Sequence, residues 1–100
     1  MKRIKTLLKG LPMVENFCSP RSGREVANQF KIYFDNGVLF QSYSTIIAVK
    51  FNDGRIVLDR QKWDYSATTG KYRNEFLGVN IAETRKLIES GSFVLADLNQ

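Results

Sequence analysis

One hundred residues, 43% of them hydrophobic and 25% charged, make one folded domain with a single modest core. The net charge of +5 is uneven: residues 1–24 carry six basic side chains against Glu15, while residues 25–100 balance at nine and nine, so a basic arm precedes a neutral body. A single cysteine, Cys18, excludes an internal disulfide or a cysteine zinc cluster, and the absence of histidine removes the commonest general base and metal ligand.

The basic N-terminal segment, residues 1–25, opens on Ile4, Leu7, Leu8 and Leu11, the spacing of one face of a short amphipathic helix that Gly10 and Pro12 would stop. A helix of that kind needs an apolar surface to dock on. Its apolar stretch is too short for a signal peptide, and no run in the chain approaches the ~18 apolar residues of a membrane span. No membrane contact is therefore expected, and a reducing cytoplasm is the expected home. Ser19-Pro20-Arg21-Ser22-Gly23 is a loop by composition.

From Val26 the period becomes two. Phe30, Ile32 and Phe34 alternate with Lys31, Tyr33 and Asp35, the pattern of a half-buried strand. A three-residue turn at Asp35-Asn36-Gly37 pairs Phe34 with Val38 and Ile32 with Phe40, giving a clean apolar face, and is preferred over a two-residue Asn36-Gly37 loop. A second hairpin closes on Asp53-Gly54 as a two-residue turn, pairing Phe51 with Ile56 and Val49 with Leu58. After Trp63 the pattern is helical: Ser66 or Thr69 caps a helix in which Tyr72 and Phe76 stack at i, i+4, and Gly78 ends it. Asn80 with Glu83 caps a second helix that carries Leu87 and Ile88 and stops at Gly91. Phe93 and Leu95 then give a last strand. The expected fold is α+β, with residues 26–100 forming an antiparallel four-strand β-meander, two C-terminal helices and a final short strand.

Little in this chain suggests catalysis. Cys18 has no activating neighbour in sequence, the glycines form no phosphate-binding loop, and the acids Asp59, Asp64 and Glu75 match no metal-binding spacing. A non-enzymatic protein without cofactor or metal is expected. The densest chemistry lies in Trp63–Leu77, where Lys71 and Arg73 face solvent and offer partner contacts. In the preferred register the second sheet face carries Lys31, Tyr33, Leu39, Gln41 and Tyr43. Aromatics among basic side chains on a sheet are how single-strand nucleic-acid binders stack bases, with Lys2, Arg3, Lys5, Arg21 and Arg24 then gripping phosphates. The alternative is that the N-terminal helix covers this face and buries Leu39 and Tyr33. An exposed sheet edge or apolar patch would also allow a homodimer.

Asn28-Gln29-Phe30-x-Ile32, Gly37-x-x-Phe40-Gln41-Ser42-Tyr43, Gly54-x-x-x-Leu58 and Trp63-Asp64-Tyr65-Ser66-x-Thr68-Thr69-x-Lys71-Tyr72 together resemble a family of small bacteriophage and mobile-element proteins of uncharacterised function. The resemblance spans about residues 26–99. It implies a protein acting in the host bacterial cytoplasm by binding and modulating a host protein, of the anti-defence or anti-CRISPR kind. Many such inhibitors are acidic mimics of DNA, and a neutral body with a basic arm is not one.

Overall fold

The computed structural model describes residues 13–99, so the helix expected over Ile4–Leu11 lies outside them. The elements run β1 (Met13–Cys18), β2 (Glu25–Phe34), β3 (Gly37–Ser42), β4 (Thr45–Phe51), β5 (Ile56–Asp59), α1 (Ala67–Leu77), α2 (Ile81–Glu89) and β6 (Phe93–Ala96). The fold is α+β, with a sheet of six strands in sequence order rather than the expected four. Neighbours are antiparallel except the parallel pair β5–β6. The expected meander is β2–β5. It gains β1 at one edge, from within the segment read as the basic arm, and at the other edge β6 joins the same sheet. Parallel neighbours need a crossover connection, which α1 and α2 supply.

Both helices are capped as their sequences dictate. The Ser66 side chain accepts from Thr69 N–H, and Gly78 closes α1 in the left-handed conformation (φ 77°). Asn80 does the same for α2 by accepting from Glu83 N–H. Lys50 on β4 donates to Phe76 O at 2.8 Å, so a strand lysine satisfies a carbonyl in the last turn of α1. Burial first, then the charge of Lys31, pushes the Lys50 pKa below its ordinary value.

The two hairpins exchange the turn lengths expected of them. Phe34 pairs with Gly37 and Ile32 with Leu39, leaving only Asp35-Asn36 as the first loop. In the second, Lys50 pairs with Ile56, and Phe51 N–H bonds Arg55 O at 2.8 Å across a three-residue loop, with Gly54 at φ 98°. Gly37 is therefore a strand residue whose smallness serves contact rather than turning: a Cβ there would lie 2.1 Å from the Lys50 carbonyl oxygen.

This register sorts the side chains onto two faces. Toward the helices point Phe40, Ala48, Leu58 and Phe93, packed with Phe17, Tyr72 and Phe76. The rings of Phe17 and Phe40 meet edge-on at 5.0 Å, Phe17 and Tyr72 at 5.4 Å, and Phe40 and Phe76 at 5.9 Å, so the expected i, i+4 aromatic pair of α1 forms the lid of the core. Toward the other side runs a row of aliphatics through all six strands, Val14, Ile32, Leu39, Val49, Val57 and Val94, aligned by the strand pairing. Phe34 and Phe51, both paired with Gly37, meet at 6.3 Å on this side. Neither described helix packs on this face.

β5 pairs with β4 only from Ala48 to Lys50, leaving the start of β4 unpaired on that side. The Asn99 amide fills the gap: Ile46 N–H donates to Asn99 Oδ1 at 2.7 Å, and Asn99 Nδ2 donates to Ile46 O at 2.9 Å.

Candidate functional site

The corner between β5 and α1 is organised by two carboxylates. Asp59, at the end of β5, accepts from Gln61 N–H (3.2 Å), Lys62 N–H (2.8 Å) and Leu98 N–H (2.9 Å), which fixes the turn and pins the chain after β6 to it. Burial alone would raise its pKa. The bonds from Leu98, Lys62, Asn99 and Gln61 outweigh that and hold the carboxyl below its ordinary value. Asp64 bridges two arginines, Arg73 Nη1 on α1 and Arg85 Nη2 on α2, each at 3.1 Å. The Arg73 guanidinium also donates to Trp63 O and Asn74 Oδ1, both at 3.0 Å, and lies 5.4 Å from the Trp63 ring centroid. The Asp64 hub thus joins the turn and both helices.

A third tie runs to the sheet. Thr69, in the first turn of α1, and Ser42, at the end of β3, share a hydrogen bond of 3.0 Å between buried hydroxyls. Beside Ser42 the backbone is strained: Asn28 (φ 66°) and Tyr43 (φ 55°) both sit in the left-handed region, joined by Tyr43 N–H to Asn28 O at 2.7 Å. Such residues cost on the order of 1 kcal/mol each and persist where their surroundings fix them. The Gln41 side chain supplies part of that restraint by donating to Tyr43 O at 2.8 Å.

What this framework presents is aromatic and basic. Tyr43 is 61% exposed and Tyr65 44% exposed. Lys62 Nζ stands 5.4 Å from the Tyr65 ring centroid. A residue just before a helix N-cap ordinarily packs on the residue five positions later, but here that residue is Gly70, which offers no side chain, so Tyr65 stays out. An open groove of about 630 Å³ runs past Asp64, Tyr65, Gly70, Lys71, Asn74 and Ile81. Tyr65 and Lys71 on this groove, with Lys62 beside the Tyr65 ring, suit recognition of a partner surface, and Tyr43 stands exposed in the turn between β3 and β4. Among the described residues no group of three or more His, Cys, Asp or Glu side chains could hold a metal ion. Asp59 and Asp64 are each occupied in separate structural networks.

The other expected contact residues are dispersed or engaged. Lys2, Arg3 and Lys5 lie outside the described residues. Arg21 and Arg24 are exposed in the loop from β1 to β2, far along the chain from the corner. The face expected to unite Lys31, Tyr33, Leu39, Gln41 and Tyr43 does not exist. Shifting the hairpin register puts Lys31 and Tyr33 on the helix-bearing side and Leu39 and Gln41 on the other. Lys31 sits 4.9 Å from the Phe17 ring centroid and 3.9 Å from Glu15 Oε1, and Tyr33 donates to Glu15 Oε1 at 2.9 Å. Burial and this bond to Glu15 raise the tyrosine's pKa. Lys71 is exposed as expected, whereas Arg73 is 2% exposed, because its guanidinium folds back onto Trp63 and Asp64 instead of reaching solvent. Tyr65 and Lys62 are not among the contact residues expected from the sequence; the signal for an outward Tyr65 is the missing side chain at Gly70, five positions on.

A family model described as a family of unknown function (DUF8033) matches residues 14–91, and the chain belongs to that family. The match covers nearly all of β1, both helices and the Asp64 hub, and stops before β6 and the Leu98 contact to Asp59. No curated protein and no solved structure matches the chain.

Proposed function

The family has no described function, and we propose, from the resemblance of motifs such as Trp63-Asp64-Tyr65-Ser66 to small phage and mobile-element proteins, that this is a non-enzymatic protein that binds and modulates a bacterial host protein in the host cytoplasm, in the manner of an anti-defence inhibitor. The observation that carries this reading is the exposed Tyr65 beside Lys62 and Lys71 on a corner held by the Asp64–Arg73 pair, with a second exposed tyrosine, Tyr43, in the turn after Ser42. Rigid amphipathic rings lose little entropy on binding and dominate hot spots. Tyr43 projects from the two-residue turn between Ser42 and Thr45, whose first position takes a positive φ, so the turn fixes where the ring stands. Lys62 and Lys71 set the electrostatics of the patch and favour an acidic partner surface.

The test compares the full-length wild type with a Tyr43→Ala/Tyr65→Ala variant as bait in a bacterial lysate, with circular dichroism showing that both are folded. A protein retained by the wild type and lost with the variant supports the reading. Identical capture by both baits refutes it. Recovery of nucleic acid alone would favour the alternative of a nucleic-acid-binding module, in which Lys2, Arg3, Lys5, Arg21 and Arg24 hold phosphates. Binding of that kind falls steeply with salt, by about 0.7–0.9 log units per neutralised phosphate for each tenfold rise.

A further inference from the structure

The groove beside α1 is bordered by a buried charge that its neighbours do not balance. Arg73 is 2% exposed and lines the groove. Its one carboxylate partner among the described residues is Asp64, which is shared with Arg85 at the same 3.1 Å. Its other acceptors, Trp63 O and Asn74 Oδ1, are neutral, and its buried Nε–H has no acceptor. Buried charge is tolerated where partners compensate it, and two guanidinium groups on one carboxylate leave a positive excess. That charge is close to the groove surface. A Cβ on Gly70, which also lines the groove, would stand 3.4 Å from Arg73 Nη2, so the guanidinium fills the space where a side chain would begin.

The start of α1 adds donors to the same groove. Ser66 and Ala67 line it, and the Ser66 side chain caps Thr69 N–H. The Ala67 and Thr68 N–H groups are left without an intrahelical acceptor at the positive end of the helix, and the first turn holds no acid. Such a helix end receives oxyanions. Lys71 is exposed on the groove wall, while Tyr65 and Ile81 give it an apolar side.

We propose that this groove is a carboxylate site that seats one acidic side chain of the protein partner. The oxygens lie among the Ala67 and Thr68 N–H groups and Lys71, over the charge of Arg73, and the methylene stem packs on Tyr65 and Ile81. The inference rests on the reading of this corner as a protein-binding surface and names the group that is recognised there. An open groove lets the partner's chain run on past the charged group in both directions, which a chain end does not need. Asp64, on the same groove, repels a doubly charged phosphate about twice as strongly as a carboxylate.

Titration of the full chain with N-acetylglutamate α-amide, whose one charge is the side-chain carboxylate, tests the site through backbone amide signals in nuclear magnetic resonance. Saturable shifts are expected at Ala67, Thr68, Gly70 and Lys71. The neutral N-acetylglutamine α-amide should bind about tenfold more weakly, the loss expected for a charge-assisted hydrogen bond. N-acetylglycine, a chain-end carboxylate, and inorganic phosphate should bind no more tightly than the glutamate probe. Equal binding of the glutamine probe, tighter binding of N-acetylglycine or phosphate, or no saturable shift at the start of α1 would each overturn the proposal. Two variants check the donors. Thr68→Asp sets a carboxylate in the first turn, which favours the helix and should abolish probe binding. Lys71→Gln, at an exposed position, should weaken binding several-fold. Unchanged binding in both variants would also overturn the proposal. The titration uses no host protein, so its failure would leave a partner captured from lysate standing, and a failed capture would leave the titration standing.

Discussion

The two faces of the sheet invert the usual expectation about polarity. The face under the helices includes Glu15, Lys31, Tyr33, Lys50, Gln29 and Ser42, yet it is the one that α1 and α2 cover. The opposite face is a row of valines, leucine and isoleucine with no described element on it. The covered face tolerates its polar groups because most have a named partner: Lys31 lies over Phe17 beside Glu15, Lys50 lies 4.4 Å from the Phe76 centroid while donating to its carbonyl, and Ser42 bonds Thr69. Long amphipathic side chains line a core with their stems while their heads bond at its rim. What makes a face interior here is the geometry of the crossover to β6, which places both helices on one side; composition alone does not decide it.

That contrast is sharpest at adjacent residues of β3. Phe40 is fully buried under the helices, and Phe40→Ala should cost about 3–5 kcal/mol in denaturant unfolding. Leu39, one position away on the other face, should cost about 1–2 kcal/mol as Leu39→Ala. Equal losses would mean that both faces are equally core-like. Gly37→Ala tests the register that creates the two faces: a methyl group 2.1 Å from the Lys50 carbonyl should part β3 from β4 and cost about 3 kcal/mol. If the hairpin instead turned on Gly37, the same change would be mild.

Asp59 is the charged residue whose strand position belongs to the uncovered face, yet its carboxylate turns back into the corner. Asp59→Asn should lower stability at pH 7 by about 2 kcal/mol through mispaired backbone donors. Its folded pKa lies below the ordinary 3.8, so the carboxylate's contribution is complete above about pH 4 and is lost as pH falls through the lowered value. Acid titration of stability should show this loss in the wild type and not in the variant. On the covered face, Lys50→Met keeps the stem and removes the amine, and a loss of about 1 kcal/mol is expected from the missing bond to Phe76 O. A much larger loss would mean that the charge, and not the stem, holds α1. The smallest effect belongs to Tyr43, at the sheet's end. Tyr43→Asn should raise stability by about 0.5 kcal/mol, since Asn accepts the left-handed backbone more readily, while weakening partner capture.

Local signals were legible in the sequence and long-range ones were not. Ser66, Gly78 and Asn80 cap their helices as read, because capping depends on a few adjacent residues. The sequence locates both hairpins but not their turn lengths, which the structure exchanges. Pairing Ile32 with Phe40 looked correct by hydrophobicity, whereas the structure sets Lys31 opposite Phe40 and lets Phe17 and Glu15 accommodate the lysine. A one-residue slip moved every side chain of the hairpin relative to its partner, and with it the expected aromatic-basic face. β1 was missed because Glu15 falls between Met13 and Phe17 on the covered face, masking the alternation. At the corner, the sequence does not show that Arg73 is buried, because its partner Asp64 lies nine positions away across a turn.

The clasp between Asn99 and Ile46 has a consequence for association. An unpaired strand edge is a template on which another chain can add a strand, the first step toward swapped dimers and fibrils. The start of β4 would be such a template, since β5 does not extend to it. Asn99 presents an acceptor and a donor at 2.7 and 2.9 Å to the backbone groups that an incoming strand would use, so a side-chain amide occupies that place. An added strand would have to displace Asn99 before it could pair with the start of β4.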